Sequence, residues 1–180
     1  MLNQIDKHRQ KRHRKRLEAK IDAAALVVGI SCECFNPQLF NLIIAMLEEL
    51  PAQVRSKIHL YGIDSGNCKS AFKNLGDKIL SDYGVPLYYT AIEQQKDLSN
   101  HYFAIDILLV SEDNEQGLTA AKSALSFGGV VVAKSKLAAK INLNLKDRLR
   151  ISDKQCAMEL SKHIAALSTQ RRKFDCALAS

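Results

Sequence analysis

The stretch DILLVSEDNEQGLTAAKSALSFGGVVVA, residues 106–133, holds a strand, a loop, a helix and a second strand in one run. DILLVS (106–111) is a short continuous apolar run, the pattern of a strand buried on both faces. QGLTAAKSALSFG (116–128) reads as a helix, with Gly128 and Gly129 as candidates for its C-terminal cap. VVVA (130–133) is a further buried strand. Two buried strands joined through a helix pair in parallel, and the crossover between them is right-handed.

The same alternation extends in both directions. Upstream, ALVVGIS (25–31) is a β-rich apolar run, and PQLFNLIIAMLEEL (37–50) follows with apolar residues at helical spacing behind Pro37. KIHLYG (57–62) is a strand ended by Gly62, residues 66–82 a helix, PLYYT (86–90) a strand, and 93–103 a polar helix. Downstream, RLRIS (148–152) is a short strand and a last helix runs from Asp153 to Arg171. Alternation of this kind predicts an α/β fold: a doubly wound, Rossmann-like parallel sheet of five to six strands with helices on both faces. In such sheets ligands sit beyond the carboxyl ends of the strands.

The chain has 180 residues, 47% of them hydrophobic and 25% charged, which suits one globular domain. Its net charge of +7 is uneven. Residues 1–20 carry eight Lys and Arg against Asp6 and Glu18, leaving 18 basic and 17 acidic groups elsewhere. The expected organisation is therefore a basic leader, residues 1–20, followed by a near-neutral domain, residues 21–175. Residues 1–16 have almost no apolar surface and are expected to add little to the core. The segment 7–20 suits an anionic membrane face or nucleic acid through phosphate contacts, and the competing reading is a solvated helix leading into the first strand. It lacks aromatic residues for base stacking, which disfavours nucleic acid. No apolar run approaches the ~20 residues of a spanning helix, and no apolar segment follows the basic start as in a secretory signal. Five cysteines, an odd number, fit a reducing cytoplasm. Cys32 and Cys34 form a C-x-C without a second close pair, so buried thiols are expected rather than a metal site. His59, inside an apolar strand, is expected in the core.

The loop 111–117, SEDNEQG, is the candidate site. Gly117 stands where a helix begins, and a helix start presents free backbone N–H groups to an anion such as a diphosphate. Glu115 beside it can accept hydrogen bonds from sugar hydroxyls. The competing reading is a solvated turn whose acids favour the helix dipole. Residues 61–70, YGIDSGNCKS, lack the spacing of a P-loop, and no G-x-G-x-x-G follows the first strand.

Taken in order, these pieces resemble the donor-binding, C-terminal half of the group 1 retaining glycosyltransferases of the GT-B fold. Residues 106–133 carry the resemblance. In that family an Asp-led apolar strand ending in Ser is followed by Glu-Gly-Phe-Gly, a helix ending in Gly, and Pro-Val-Val-Ala. KIHLYGIDSG (57–66), PLYYTAI (86–92) and RKRLEAKIDAAALVVGIS (14–31) are similar to other parts of the same half in order and length.

The resemblance implies a nucleotide-sugar donor, no metal, and retaining hexosyl transfer in polysaccharide or glycan biosynthesis. Glu115 matches the acid that touches the donor sugar, the catalytic position. Gly117, Leu118 and Thr119 match the backbone positions that meet the diphosphate. Ser123 falls where the family has the glutamate that holds the ribose. After the first strand, SCECFNPQ (31–38) has Glu33 where the family has a basic pair, and a carboxylate there repels a diphosphate. The acceptor half and its histidine have no counterpart in these residues. The resemblance thus implies weak nucleotide-sugar binding by a fragment, a split subunit working with a separate N-terminal half, or a degenerate copy. The cysteine count and the basic segment 7–20 together lead us to expect a cytoplasmic place, peripheral to the inner membrane face. The alternative function is a non-catalytic α/β interaction module whose basic segment docks on a membrane, nucleic acid or protein partner.

Overall fold

A computed structural model describes residues 4–32, 37–64, 68–91, 101–141, 148–151 and 157–178. Its elements are α1 (Gln4–Glu18), β1 (Leu26–Cys32), α2 (Pro37–Glu49), α3 (Ala52–Arg55), β2 (Ile58–Asp64), α4 (Lys69–Tyr83) and β3 (Leu87–Ala91). They continue with β4 (Ile107–Val110), α5 (Glu115–Ser126), β5 (Val130–Ala133), α6 (Ser135–Ala138), β6 (Leu149–Ile151) and α7 (Ala157–Leu178). The six strands form one sheet in the order β3-β2-β1-β4-β5-β6, and every adjacent pair is parallel.

Alternation along each strand divides the core into two layers, because successive side chains point to opposite faces. Val28, Ile30, Leu60, Ile107 and Leu109 face a layer roofed by α2, α4 and α7. Val27, Tyr61, Leu108, Val110 and Val131 face the other, roofed by α5, α6 and the segment 102–105. Val27, Val28, Leu60, Leu108 and Val131 have no exposed surface. Each such side chain contributes about 1.5–3 kcal/mol on leaving water.

The sheet and its helices follow the sequence reading, with differences at element ends. β2 runs through Gly62 to Asp64, because parallel pairing to β1 continues as far as Cys32↔Asp64. α7 reaches Leu178, beyond Arg171. Of the expected helix 93–103, residues 101 and 102 are helical and 93–100 lie outside the described residues, as do Glu33 and Cys34. His59 is half-buried, not part of either core layer.

Gly128 and Gly129 do close α5. The Gly128 N–H donates to Leu125 O at 3.1 Å and the Gly129 N–H to Ala124 O at 2.9 Å. Gly128 has φ of 85°, left-handed backbone that a side chain would strain. This is the paired bonding of a Schellman cap.

The largest correction concerns residues 1–16. Arg16 is 3% exposed. Its guanidinium donates to Ala23 O, Ala25 O and Ala104 O and pairs with Asp106 at 2.6 Å. Arg12, one helical turn earlier, pairs with the other Asp106 oxygen at 3.1 Å and donates to Phe103 O and Ile105 O. Asp106 also accepts the Val27 N–H, and its backbone bonds Val27 and Val130. One residue therefore ties α1 to the amino ends of β1, β4 and β5, its carboxylate holding α1 and β1 and its backbone bonding β1 and β5. The expectation of little contribution to the core fails because one arginine of the basic run, Arg16, is buried and a second, Arg12, is half-buried beside it. Their stems bury with the chain, and their charge meets an acid some ninety residues away.

Candidate functional site

Strand order reverses between β1 and β4: the chain winds outward through β2 and β3 on one side, and through β5 and β6 on the other. The crevice beyond the carboxyl ends of β1 and β4 is the topological switch point, where open α/β sheets bind ligands. Ser31 stands near the end of β1, Ser111 follows β4, and α5 starts just beyond.

The start of α5 is capped from within. Asn114 is the N-cap, and its side-chain oxygen accepts the Gly117 N–H at 2.8 Å. The Leu118 N–H donates to Asn114 O at 3.1 Å. Both N–H groups, two of the three positions matched to a diphosphate, thus have partners inside the fold. By helix geometry the donors left without an intrahelical partner are those of Asn114, Glu115 and Gln116.

Gly117 is buried, and a Cβ there would run into the Glu112 carbonyl oxygen and lie 3.2 Å from Val110 Cγ1. Glycine is needed at this position because the loop folds back against the helix start, whatever binds outside. Thr119 is exposed, and its hydroxyl donates to Glu115 O at 2.9 Å. Glu115 is exposed at the rim, while Leu118 and Ser123 are half-buried. The candidate residues therefore share one helix but not one surface: Glu115 and Thr119 face outward and Gly117 inward.

The floor of the crevice was not legible in the sequence. Tyr102 is 1% exposed and its hydroxyl has no hydrogen-bond partner. The Ser111 Oγ is likewise buried and unpartnered. Ser31 and Glu112 act on Tyr102, which places its hydroxyl near the carboxyl ends of β1 and β4. Burial pushes its phenol up, the nearby Ser31 hydroxyl partly offsets this, and the Glu112 charge adds to the rise. An aromatic residue in a stretch that reads as a polar helix offers little sign of such a role.

The rim toward β5 is charged. Asp113 pairs with Lys136 at 2.9 Å, and Lys140 donates to Asp113 O at 3.2 Å. The Lys136 contact holds the Asp113 carboxyl below its ordinary value, with help from Lys140 and Lys134. Among the described residues there is no group of three His, Cys, Asp or Glu side chains that could hold a metal ion. None of the helices there is long and apolar enough to cross a membrane.

No protein-family model and no curated protein matches the chain. Solved structures do. Anabaena HepE, in complex with UDP and glucose, is 15% identical, with a TM-score of 0.60 over 86% of this chain and 41% of that one. WaaG, a glycosyltransferase involved in lipopolysaccharide biosynthesis, is 18% identical, with a TM-score of 0.59 over 86% of this chain and 42% of that one. The N-terminal domain of Candida albicans trehalose-6-phosphate phosphatase is 15% identical, with a TM-score of 0.59 over 89% of this chain and 38% of that one. The chain spans about two fifths of the length of each. At these identities the likeness is one of fold, and the fold of this chain is that of a GT-B-like Rossmann domain.

Proposed function

We propose that this chain is a donor-binding domain of the GT-B type that takes a nucleoside-diphosphate sugar at the start of α5. The observation that carries the reading is the position of that helix start, at the β1–β4 switch point with outward N–H groups and an exposed glutamate. The diphosphate meets the Glu115 and Gln116 N–H groups and the positive end of the helix dipole. Gly117, Leu118 and Thr119 set the course of the backbone there. The Glu115 carboxylate orients the sugar. Ser123 offers the ribose one hydroxyl where a carboxylate would offer two oxygens.

The domain comprises residues 21–175, with the leader in residues 1–20 packed onto it through Arg12 and Arg16. Sugar transfer, with retention and without metal, then requires a separate acceptor-binding half. A cytoplasmic place in glycan or polysaccharide assembly, with residues 7–20 against an anionic membrane face, fits the leader's remaining charge. One observation favours the alternative of a non-catalytic interaction module: the Gly117 and Leu118 N–H groups already have internal partners.

NMR titration with nucleoside diphosphates and their sugar conjugates decides between the two. Shifts are expected at residues 111–119, at millimolar ligand. Glu115→Ala should weaken the sugar conjugate while leaving the free nucleoside diphosphate nearly unchanged. Shifts that map elsewhere, or none at several millimolar, would overturn the donor-site reading and leave the interaction module.

A further inference from the structure

A second concavity lies far from the switch point, between α4 and β3, the terminal strand of the sheet. Its volume is about 350 Å³, within the range of roughly 300–1,000 Å³ typical of small-molecule sites. Phe72, Leu80, Pro86, Leu87 and Tyr89 form its walls. Leu80 is 56% exposed, among the most exposed large apolar side chains of the described residues.

The polar lining of the groove is cationic where α4 begins and carries one acid farther along. Lys69 and Lys73, one turn apart and both exposed, stand at the end where α4 begins. Neither makes an ion pair among the described residues. Asp77 follows one turn on, and Leu80 and Pro86 close the far end.

This charge order runs against the helix. α4 has no acid in its first turn and no base in its last. Cations at a helix start oppose the macrodipole. A local arrangement that opposes its own helix without an internal partner is the kind met at binding sites. An anion beside Lys69 and Lys73 would satisfy both the lysines and the helix start, and Asp77 would repel it from the far end.

We propose that the α4–β3 groove binds a single-chain anionic amphiphile, its head between Lys69 and Lys73 and its tail along Pro86, Leu87 and Leu80. From Lys69 to Leu80 the helix advances about 16 Å, at 1.5 Å per residue, which suits one medium-length chain lying along it. The site is separate from the start of α5 and stands whether or not that start binds a nucleotide.

Decyl phosphate below its micellar concentration is the probe, with decanol and inorganic phosphate as its two halves. Decyl phosphate should shift the amides of residues 69–80 and 87–89 saturably, at least tenfold more tightly than decanol. Inorganic phosphate alone should leave them unmoved. The double variant K69E/K73E, both changes at exposed positions, should lose at least tenfold for decyl phosphate and keep decanol unchanged. A Cβ at position 76 would make only ordinary contact with Leu87, at 3.5 Å. Gly76→Ala should therefore fold normally, and Gly76→Leu should fill the groove and abolish binding of both probes. Equal affinity for decyl phosphate and decanol would overturn the proposal. So would shifts confined to other surfaces, or a concentration-dependent dimer that buries residues 69–80 and excludes the probe.

Discussion

The two ends of the sheet solve opposite problems. At the amino ends, Asp106 collects Arg12, Arg16 and the Val27 N–H, and the two arginines also take up five backbone carbonyls. At the carboxyl ends, the Tyr102 hydroxyl and Ser111 Oγ are buried without partners, and by helix geometry the first N–H groups of α5 lack intrahelical partners. The first arrangement spends polar groups on holding elements together. The second leaves them available, at a cost in stability that binding sites commonly carry. The contrast tells which acid is structural: Asp106, enclosed by arginines, against Glu115, exposed at the rim.

The largest expected effect lies at the amino end. Asp106→Ala would leave Arg16 buried without its counter-charge, which costs about 3–5 kcal/mol. Urea unfolding should show that loss, and a chain starting at Leu17 should be strongly destabilised too. Glu115→Ala should stay within about 0.5 kcal/mol of the parent, as for exposed positions outside such networks. Equal effects at Asp106 and Glu115 would break the comparison.

At the carboxyl end, Gly117→Val drives a branched side chain against the Glu112 carbonyl, and about 1–3 kcal/mol of overpacking cost is expected. That loss should appear in thermal unfolding with no ligand present. Reduced nucleotide binding in this variant would then report a displaced loop, which makes Glu115→Ala the cleaner probe of the site. Asn114→Ala removes the N-cap acceptor and should cost about 1 kcal/mol.

The smallest effects come from pH. Burial, then the Arg16 charge, lower the His59 pKa, with Asp22 acting against them. Its protonation is therefore easier in the unfolded chain. Stability should be fully present above the ordinary histidine value of about 6.5 and should decline as pH falls below it. His59→Gln should flatten that acid limb. Burial raises Tyr102 at the other end of the sheet, and Tyr61 within it. Their phenols ionise more readily when unfolded, so stability is complete below about pH 10 and should fall as pH rises above it. Tyr102→Phe should shallow the alkaline limb. With no partner for its hydroxyl, it should also be neutral or stabilising at pH 7. A loss of more than about 1 kcal/mol there would reveal a bonded water and remove the contrast between the two ends.

Local pattern determined the strands and helices. The runs 25–31, 106–111 and 130–133 are too apolar to face water on either side, and the helices between them oblige the strands to pair in parallel. The cap at Gly128 and Gly129 was equally legible, because a Schellman motif involves neighbours in the chain. The tertiary structure alone decided the destinations of charge. Nothing within residues 7–20 distinguishes Arg12 and Arg16 from the basic residues around them until Asp106 stands beside α1. It also decided that Gly117 answers to the Glu112 carbonyl and that Tyr102 lies under the crevice. Periodicity and turn chemistry act over a few residues and are written in them. Ion pairing and desolvation depend on what folding brings together across ninety residues, and only the packed chain expresses them.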